Sequence, residues 1–510
     1  MEDKSEKTPV VSAEQTEHKP PTEFNTDKSV EKPKRNILKF EKDLLIYKIF
    51  YFGFGGAIGC VFPFLSVYYK QLGFSPNQIG IISGVRPLIG FMSGPVWGSI
   101  ADRWRIRKMM MLISTFGWLI FLLGIGFVPP APVTNTKCQL ELLQINTTLG
   151  LNHSGSNALS SVYKSLNEDQ QNKLLEDRGW MFLDAGVIRV FGMVIALVIL
   201  GEIVQSPLSA LSDSGCLEHI GIENVDKYGF QRCWASFGFG LLSLVVGAII
   251  TQTRTPVDVC GIDVIFSDYH VAFYFFGGCM VIVIISAFMF SFPQEKAAKA
   301  DNKPRPNIKH TFKLFMNAHY CSWLVCMFIM GMCNGVIWGF LYWHLENLGA
   351  SQLVIGLGSV INNVAEIITF FFIFPVIRRV GVFPFMVLGI IGYIARFCVF
   401  AYIDNPWLIL PVEVLQGFTF AGVWCVLTVY FCNAVPMEML GTMQGIIHGV
   451  YWGLGTGTGS MMGGILVEEF GAQNTFWVFA GVSGFNLITF CIAQKLTKQP
   501  AASKYEELSD

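Results

Sequence analysis

The stretch GSIADRWRIRK, residues 98–108, closes one long apolar segment and is followed at once by another. It sets Asp102 beside a basic group, Arg103, Arg105, Arg107 and Lys108. Basic residues in short loops stay on the cytosolic side during membrane insertion, and the next apolar run, 109–130, has the length of one spanning helix. The stretch therefore predicts a cytosolic turn between two membrane-spanning helices.

The composition is that of a protein whose main solvent is lipid. Of the 510 residues, 52% are hydrophobic, 14% are charged and 44 are Phe. A soluble domain of this composition would expose large apolar patches to water. We therefore predict an all-α membrane protein with twelve transmembrane helices. The apolar runs lie at about 43–69, 77–101, 109–130, 184–211, 229–252, 270–292, 318–344, 353–377, 383–403, 406–431, 441–466 and 474–494.

Loop charges predict the orientation of the chain. Lys and Arg fall in every second loop, at 103–108, 227, 294–313 and 378–379, whereas the alternate short loops hold only Lys70 and Arg254. By the positive-inside rule both termini are cytosolic. The polar segments 1–40 and 496–510 are expected to be disordered cytosolic ends, and the basic segment 294–313 is expected to be a cytosolic linker.

Two segments of the chain repeat one another. Residues 64–80 contain Phe-Leu, Leu-Gly, Ser and Ile-Gly, and residues 340–356 contain the same pairs at one constant offset. The alternative is a coincidental Gly-Ser turn before two helices. Internal repeats are typical of transporters whose binding site lies near the bilayer midplane between two related halves. We expect one six-helix bundle at 41–293 and a second, pseudo-symmetric one at 314–495.

The long loop 131–180 lies outside the cytosol in this topology. It carries two glycosylation acceptors, Asn146 and Asn152, as expected for a secretory-pathway protein of the plasma membrane or an endomembrane. Of thirteen Cys, Cys138 and Cys260 fall in outer loops, where disulfides persist. They either form a bridge or remain two free thiols.

Ionisable residues lie inside several of the predicted spans. A charge at the bilayer centre costs about 2.5–3.5 kcal/mol on insertion scales, so each one needs a partner, a water-filled cavity or another reason to be there. The sequence thus predicts either a polar cavity with paired charges or static ion pairs that fix helix register. These residues are Arg86, Glu202, Glu366, Arg396 and Glu413.

The loop between the second and third spans resembles the signature of the major facilitator superfamily. In that superfamily the carboxylate docks on a neighbouring helix end and holds one gate conformation, so the resemblance implies a gating role. Arg105 stands where the family usually has glycine. The matching residues are Gly98, Asp102, Arg103, Arg107 and Lys108.

Residues 228–238, YGFQRCWASFG, resemble the start of the fifth helix in the lactose permease branch of that superfamily. The resemblance implies that Arg232 contacts substrate and that Asp213 is its paired carboxylate. Phe239 falls where the permease stacks a tryptophan on the sugar. In the second half, the same resemblance implies that Glu366 binds substrate.

The resemblance also matches Arg396 to the ninth-helix arginine of the permease. Gln416 and Thr419 then stand where the permease has its proton-relay histidine and glutamate, and neither side chain titrates near neutral pH. Glu413 is the alternative proton carrier, and His448 could supply an imidazole. Residues 68–103, which include Arg86-Pro87, are similar to the animal family named major facilitator superfamily domain-containing protein 6.

These observations predict a multi-pass secondary transporter of a small polar solute that works by alternating access, with protons or other cations as candidate coupling ions. The alternative is a non-transporting membrane receptor or scaffold, because fold does not fix function. The sequence shows no phosphate-binding Gly-rich loop, no aqueous Cys/His cluster and no basic-aromatic face. We therefore expect no enzyme activity, no cofactor, no metal and no nucleic-acid partner.

The predicted topology can be tested by glycosylation mapping. In a eukaryotic host, Asn146→Gln and Asn152→Gln should each remove one glycan, and the double variant should no longer shift on treatment with an N-glycosidase. Gel mobility of the purified chain measures this. Proteolysis within 294–313 from outside intact cells would contradict the span assignment.

Overall fold

A computed structural model describes residues 44–104, 106–131, 184–220, 226–259, 262–290, 292, 317–434 and 440–497. The predicted disordered end 1–40, residues 498–510 of the predicted tail 496–510, the linker 294–313, Arg105 and the side chains of Asp102 and Arg103 lie outside this description. The same is true of Asn146, Asn152, Cys138 and Cys260.

The described chain is mainly helical, because in lipid the backbone polar groups of a spanning segment must be bonded within the segment itself. A hairpin of two antiparallel strands, β1 (Thr255–Val259) and β2 (Ile262–Phe266), joins α6 to α7 and was not predicted. The α-helices are α1 (Leu45–Gln71), α2 (Pro76–Trp104), α3 (Arg107–Gly126), α4 (Asp184–Gln205), α5 (Leu208–Ile220), α6 (Asp226–Gln252), α7 (His270–Met289), α8 (Ala318–Asn347), α9 (Gln352–Val380), α10 (Val382–Tyr402), α11 (Ile409–Glu413), α12 (Val423–Asn433), α13 (Leu440–His448) and α14 (Thr456–Leu496).

In the described residues, eleven helical segments are long and apolar enough to cross a membrane. The last of them, Gly445–Leu496, has 52 residues, far more than the roughly 30 Å hydrocarbon core requires. Gly471 has a φ of 80° inside it, a left-handed conformation that interrupts the helix between the predicted spans 441–466 and 474–494. The protein is therefore an integral, multi-pass membrane protein.

Two predicted spans are less regular than the apolar pattern suggests. The fourth, 184–211, is divided into α4 and α5 at Ser206 and Pro207, because proline cannot donate the backbone bond that would continue the helix. The tenth, 406–431, passes through a 3₁₀ turn (Pro406–Leu408), α11, a π-helical segment (Gly417–Gly422) and α12. A second π-helical segment, Gly449–Gly455, joins α13 to α14.

The two repeated sequences pack against the opposite halves of the chain. A Cβ on Gly80 of α2 would lie 2.7 Å from the carbonyl oxygen of Ser460 in α14. A Cβ on Gly356 of α9 would lie 2.8 Å from the carbonyl oxygen of Ser243 in α6. Gly80 and Gly356 are the glycines of the two Ile-Gly repeats, so the repeat marks two equivalent close helix contacts.

These glycine contacts predict a stability difference within one pair of variants. Gly356→Ala should lower the thermal stability of the purified protein by about 1–3 kcal/mol, because the added methyl overpacks a backbone contact. Gly481→Ala is the matched control, since a Cβ there has no heavy atom within 4 Å. Equal melting temperatures for the two variants would show that this helix contact is looser than described.

Candidate functional site between the two halves

A cavity of about 410 Å³ lies between the two repeated parts of the chain. One wall comes from α1, α2, α3, α4 and α6, and the other from α8, α9, α11, both π-helical segments and α14. The wall combines aromatic side chains with several ionisable or amide side chains, the composition typical of a small-molecule site. The polar residues among them include Ser83, Arg86, Glu202, Gln205, Asn362, Asn363, Glu366 and Glu413.

Residues that stand at equivalent positions of the sequence repeat line opposite walls of the cavity. The offset that relates Phe64-Leu65 to Phe340-Leu341 also relates several pairs of lining residues. The two walls therefore use equivalent positions of the sequence repeat, and the partners of each pair show where the two repeats differ. The pairs are Phe62 with Trp338, Ser66 with Tyr342, Ser83 with Ser359, and Arg86 with Asn362.

On the first wall, one cation is held by a carboxylate and an aromatic ring. The Nε of Arg86 lies 3.6 Å from the Oε2 of Glu202, and its guanidinium carbon lies 4.2 Å from the centre of the Phe62 ring. An aromatic face attracts a cation within about 6 Å of its centroid. Arg86 is thus compensated without contribution from the second half.

On the second wall, the charged group lies deeper in the protein. Arg396 is 0% exposed and Glu413 1% exposed, and Nη2 of Arg396 lies 3.6 Å from Oε1 of Glu413. Asn362 donates a hydrogen bond of 3.0 Å to the other oxygen of Glu413. Asn362 is the repeat counterpart of Arg86, so each half holds one glutamate with a donor at the same position of the repeat.

Gln416 and Thr419 both accept hydrogen bonds from Nη1 of Arg396, the second at 3.1 Å. The two positions that the permease resemblance assigned to a proton relay are therefore ligands of the buried arginine. Neither side chain carries a charge, so Glu413 is the group that compensates Arg396. Breaking a buried pair by removing one partner leaves an uncompensated charge and is strongly destabilising.

Glu366 lies one helical turn after Asn362 on α9 and is partly exposed to the cavity. Gln416 lies beside its carboxyl group. This proximity depends on Gly417, where a Cβ would lie 2.4 Å from the carbonyl oxygen of Ala365. Because Gly417 has no side chain, α9 and the π-helical segment approach closely enough to bring Gln416 next to Glu366.

The two π-helical segments supply aromatic side chains to the second wall. Phe420 lies in the first segment and Trp452 in the second, with their ring centres 5.4 Å apart. Trp452 in turn packs edge-on against Trp338 at 5.8 Å. Single-turn π-helices frequently occur at functional sites, because they re-aim side chains that a regular helix would point elsewhere.

The structure places five of the residues singled out in the sequence on the cavity wall: Arg86, Glu202, Phe239, Glu366 and Glu413. Arg396 and Gln416 are buried directly behind them. The cavity residues that the sequence analysis did not single out are mainly Trp338, Tyr342, Asn362, Phe420 and Trp452. Applying the repeat offset to Arg86 would have revealed one of these, Asn362.

Arg232 and Asp213 form an ion pair of 2.8 Å outside the set of cavity-lining residues. The hydroxyl of Tyr51 donates a hydrogen bond of 2.7 Å to Asp213. The Arg232 side chain is 57% exposed. His448, from the second half, packs edge-on against Trp424 at 4.7 Å and lies within electrostatic reach of Arg232.

The residues of the predicted cytosolic turn lie where two helices meet. Gly98, Asp102 and Arg103 belong to the last turns of α2, while Arg107 and Lys108 open α3. A Cβ on Gly98 would meet no heavy atom within 4 Å. Lys108 is exposed.

The opposite ends of the helices are joined by polar contacts between the two halves. Lys70, at the end of α1, pairs with Glu346 at 3.2 Å and donates a hydrogen bond to Asn347 at the end of α8. Glu468 accepts hydrogen bonds of 2.8 Å from the Ser75 hydroxyl and the Asn77 backbone at the start of α2. We call these contacts the closed end.

A further contact of the closed end joins α6 to α9. The hydroxyl of Thr251 accepts a hydrogen bond of 3.0 Å from the backbone N–H of Leu353. Leu353 is the repeat counterpart of Asn77, so both halves use the same backbone position to bind the other half. Two contacts of the closed end are therefore made at equivalent positions of the sequence repeat.

The Arg396–Glu413 pair predicts a non-additive effect on stability. Glu413→Gln alone should cost about 3–5 kcal/mol, because it leaves the Arg396 guanidinium buried without a counter-charge. Combined with Arg396→Met, the loss should be smaller than the sum of the two single losses. Thermal unfolding of the purified variants measures the cycle, and Glu202→Gln with Arg396→Met is the control pair, for which we expect additive losses.

Comparison with known proteins shows which family and which relatives this chain resembles. The MFS_1 like family matches residues 44–478. A protein of Danio rerio named major facilitator superfamily domain-containing protein 6-like is 23% identical over 473 residues, covering 84% of this chain and 83% of the relative. The maltose permease of Geobacillus stearothermophilus is 22% identical over 458 residues, covering 88% and 94%.

The fold is also found among solved structures. The crystal structure of the nucleoside transporter NupG superposes with a TM-score of 0.66 at 16% identity, and the match covers 89% of this chain and 100% of that one. An identity this low shows the fold alone. The family match over most of the chain shows that the protein belongs to the MFS_1 like family, and the permease and the nucleoside transporter that it resembles are membrane transport proteins, not enzymes.

Proposed function

We propose that the chain is a secondary transporter that carries a small polar solute through the cavity by alternating access. The observation that supports this most directly is the cavity itself, which is lined by repeat-equivalent residues of both parts of the chain. A site placed between two related halves is reached from either side when the halves rock against each other. In this proposal the halves are six-helix bundles, 41–293 and 314–495, and Gly471 of α14 separates the eleventh span, which begins with α13, from the twelfth.

The closed end acts as one gate of this transporter. Loop charges assign the ends of α1 and α8 to the non-cytosolic side, so we assign the structure to a state closed towards the outside. The Lys70–Glu346 pair and the Glu468 contacts must break for solute to enter from that side. Their free energy then enters the equilibrium between the two access states.

The residues at the other end have two proposed roles. The Asp213–Arg232 pair lies on α5 and the start of α6, far along α6 from the closed end, and Arg232 is half exposed. We assign it to the cytosolic route into the cavity, where a solute first meets the protein. We assign Asp102 and the basic residues after it to gating, so that Asp102→Asn would slow turnover and leave solute affinity nearly intact.

Coupling in this proposal falls to the carboxylates of the cavity wall. Glu202 and Glu413 each have an arginine partner, while Glu366 faces the cavity beside the neutral Gln416. A carboxylate of this kind can exchange a proton or hold a cation as the access state changes. Relatives named for maltose and nucleoside transport support a small polar solute for this chain.

Reconstitution in proteoliposomes tests the proposal. The panel should include neutral sugars and nucleosides, small anions and small amines, each with and without a pH gradient. We expect saturable uptake of at least one solute and exchange of labelled for unlabelled solute across the membrane. Folded protein that binds a cavity ligand but never exchanges it would contradict transport and favour a receptor.

The gate assignment predicts a charge-swap rescue. Lys70→Glu should lower the maximal uptake rate at least about tenfold, equivalent to roughly 1.4 kcal/mol, because two carboxylates then face each other at the closed end. Lys70→Glu combined with Glu346→Lys should restore most of the rate. The half-saturating concentration should change little in both variants. A large change in affinity without a change in maximal rate would place Lys70 in the binding site instead.

A further inference from the structure

The first wall of the cavity shows how this protein holds a cation. Arg86 lies over the Phe62 ring and against the Glu202 carboxylate, so its guanidinium has an aromatic face on one side and a negative charge on another. Both charged side chains are largely buried, 14% and 16% exposed. There a cation over an aromatic face gains more than it does in bulk water.

The second wall repeats the aromatic and acidic parts of this arrangement with a neutral residue in place of the arginine. Trp338 stands at the repeat position of Phe62, and Asn362 stands at that of Arg86. Tryptophan is the best of the aromatic residues at attracting a cation. The second wall thus combines a stronger aromatic partner with a side chain that brings no positive charge.

The second wall also holds one carboxylate more than the first. In the part of the chain that the structure describes, Glu202 and Glu413 engage the two arginines, which leaves Glu366 without an ion-pair partner. Glu413 also lines the cavity, but its Oε1 lies 3.6 Å from Nη2 of Arg396, so its charge stays paired. The surplus of charge on this wall is therefore negative.

Aromatic side chains line the same cavity as Glu366. The Tyr342 hydroxyl lies within electrostatic reach of Glu366, and Trp338 lies one helical turn before Tyr342 on the same face of α8. Trp338 packs on Trp452, and Trp452 packs on Phe420. Phe420 lies four residues after Gln416, the neighbour of Glu366, and all of these aromatic rings line the same cavity.

We propose that the solute of this transporter is a small organic cation, an amine or quaternary ammonium compound, whose charge is held by Glu366 and the faces of Trp338 and Trp452. The assignment rests on the transport function proposed above and narrows its solute to one chemical class. The charge of the solute occupies on the second wall the place that the Arg86 guanidinium occupies on the first. Small anions are disfavoured there because they would meet the unpaired carboxylate.

A direct test uses a permanent cation and neutral solutes on the same purified full-length protein. The probe is 1-methyl-4-phenylpyridinium, with binding followed by the change in tryptophan fluorescence and transport by uptake into proteoliposomes. Uridine and maltose are the neutral comparison solutes. We expect saturable binding of the cation, competition by tetraethylammonium and no competition by either neutral solute.

Variants locate the site. Glu366→Gln should weaken binding of the probe by roughly ten- to a hundredfold, the effect of losing a charge-assisted contact. Trp452→Leu should weaken it by about three- to thirtyfold, and Trp452→Phe by less, because Phe keeps an aromatic face. Glu469→Gln is the matched control, since it removes the same charge from an exposed position with no assigned role. Each variant is compared at equal folded fraction, judged by size-exclusion elution and melting temperature.

The outcomes separate this inference from the transport proposal. Uptake of uridine or maltose without binding of the cation would overturn the inference and leave transport standing. Saturable cation binding without uptake or exchange would support the site and overturn transport. If Glu366→Gln fails to fold, competition on the unmodified protein decides: inhibition of probe binding by uridine or maltose as strong as that by tetraethylammonium would overturn the assignment. Absence of any cation binding to folded protein would overturn it as well.

Discussion

The rest of this structure depends on how its buried charges are compensated. Each charge inside a helical bundle in lipid needs nearby groups of opposite charge or hydrogen-bond acceptors, and these groups must be held in position. Arg396 has no exposed surface and is held by Glu413, Gln416 and Thr419. Satisfying it requires α10, α11 and the following π-helical segment to stay in register. The aromatic lining supplied by Phe420 then depends on the same register, so the buried pair fixes the wall of the cavity.

The sequence repeat shows why the closed end is built from opposite charges. Lys70 and Glu346 occupy equivalent positions of the repeat and meet between the halves. Identical charged residues at such a pair of positions would repel one another, so the two repeats can meet there only where their side chains differ. At Asn77 and Leu353 no difference between the side chains is needed. The backbone N–H groups of both residues make equivalent contacts whatever the side chains are.

The apolar spans were predicted well because hydropathy reports directly on the lipid environment, and α1, α8 and α10 begin and end close to the expected residues. The π-helical segments were not predicted, since they arise from close contacts such as that of Gly417 with Ala365, which join distant parts of the sequence. For the same reason the sequence could not assign a partner to Arg396, whose ion pair in the structure is with Glu413. Charges in spans can be counted from sequence, but their pairing depends on helix rotation.

The divergence of the two walls gives the site its chemical character. Gly90 is the repeat counterpart of Glu366, and a Cβ on Gly90 would lie 3.2 Å from a carboxylate oxygen of Glu202. On the first wall a longer side chain at that position would disturb the Arg86–Glu202 pair. On the second wall Asn362 is shorter than arginine and Glu413 pairs with Arg396 on α10, so the position accommodates a glutamate. Replacing an internal cation with a neutral amide thus creates both the space and the negative charge that an external cation would require.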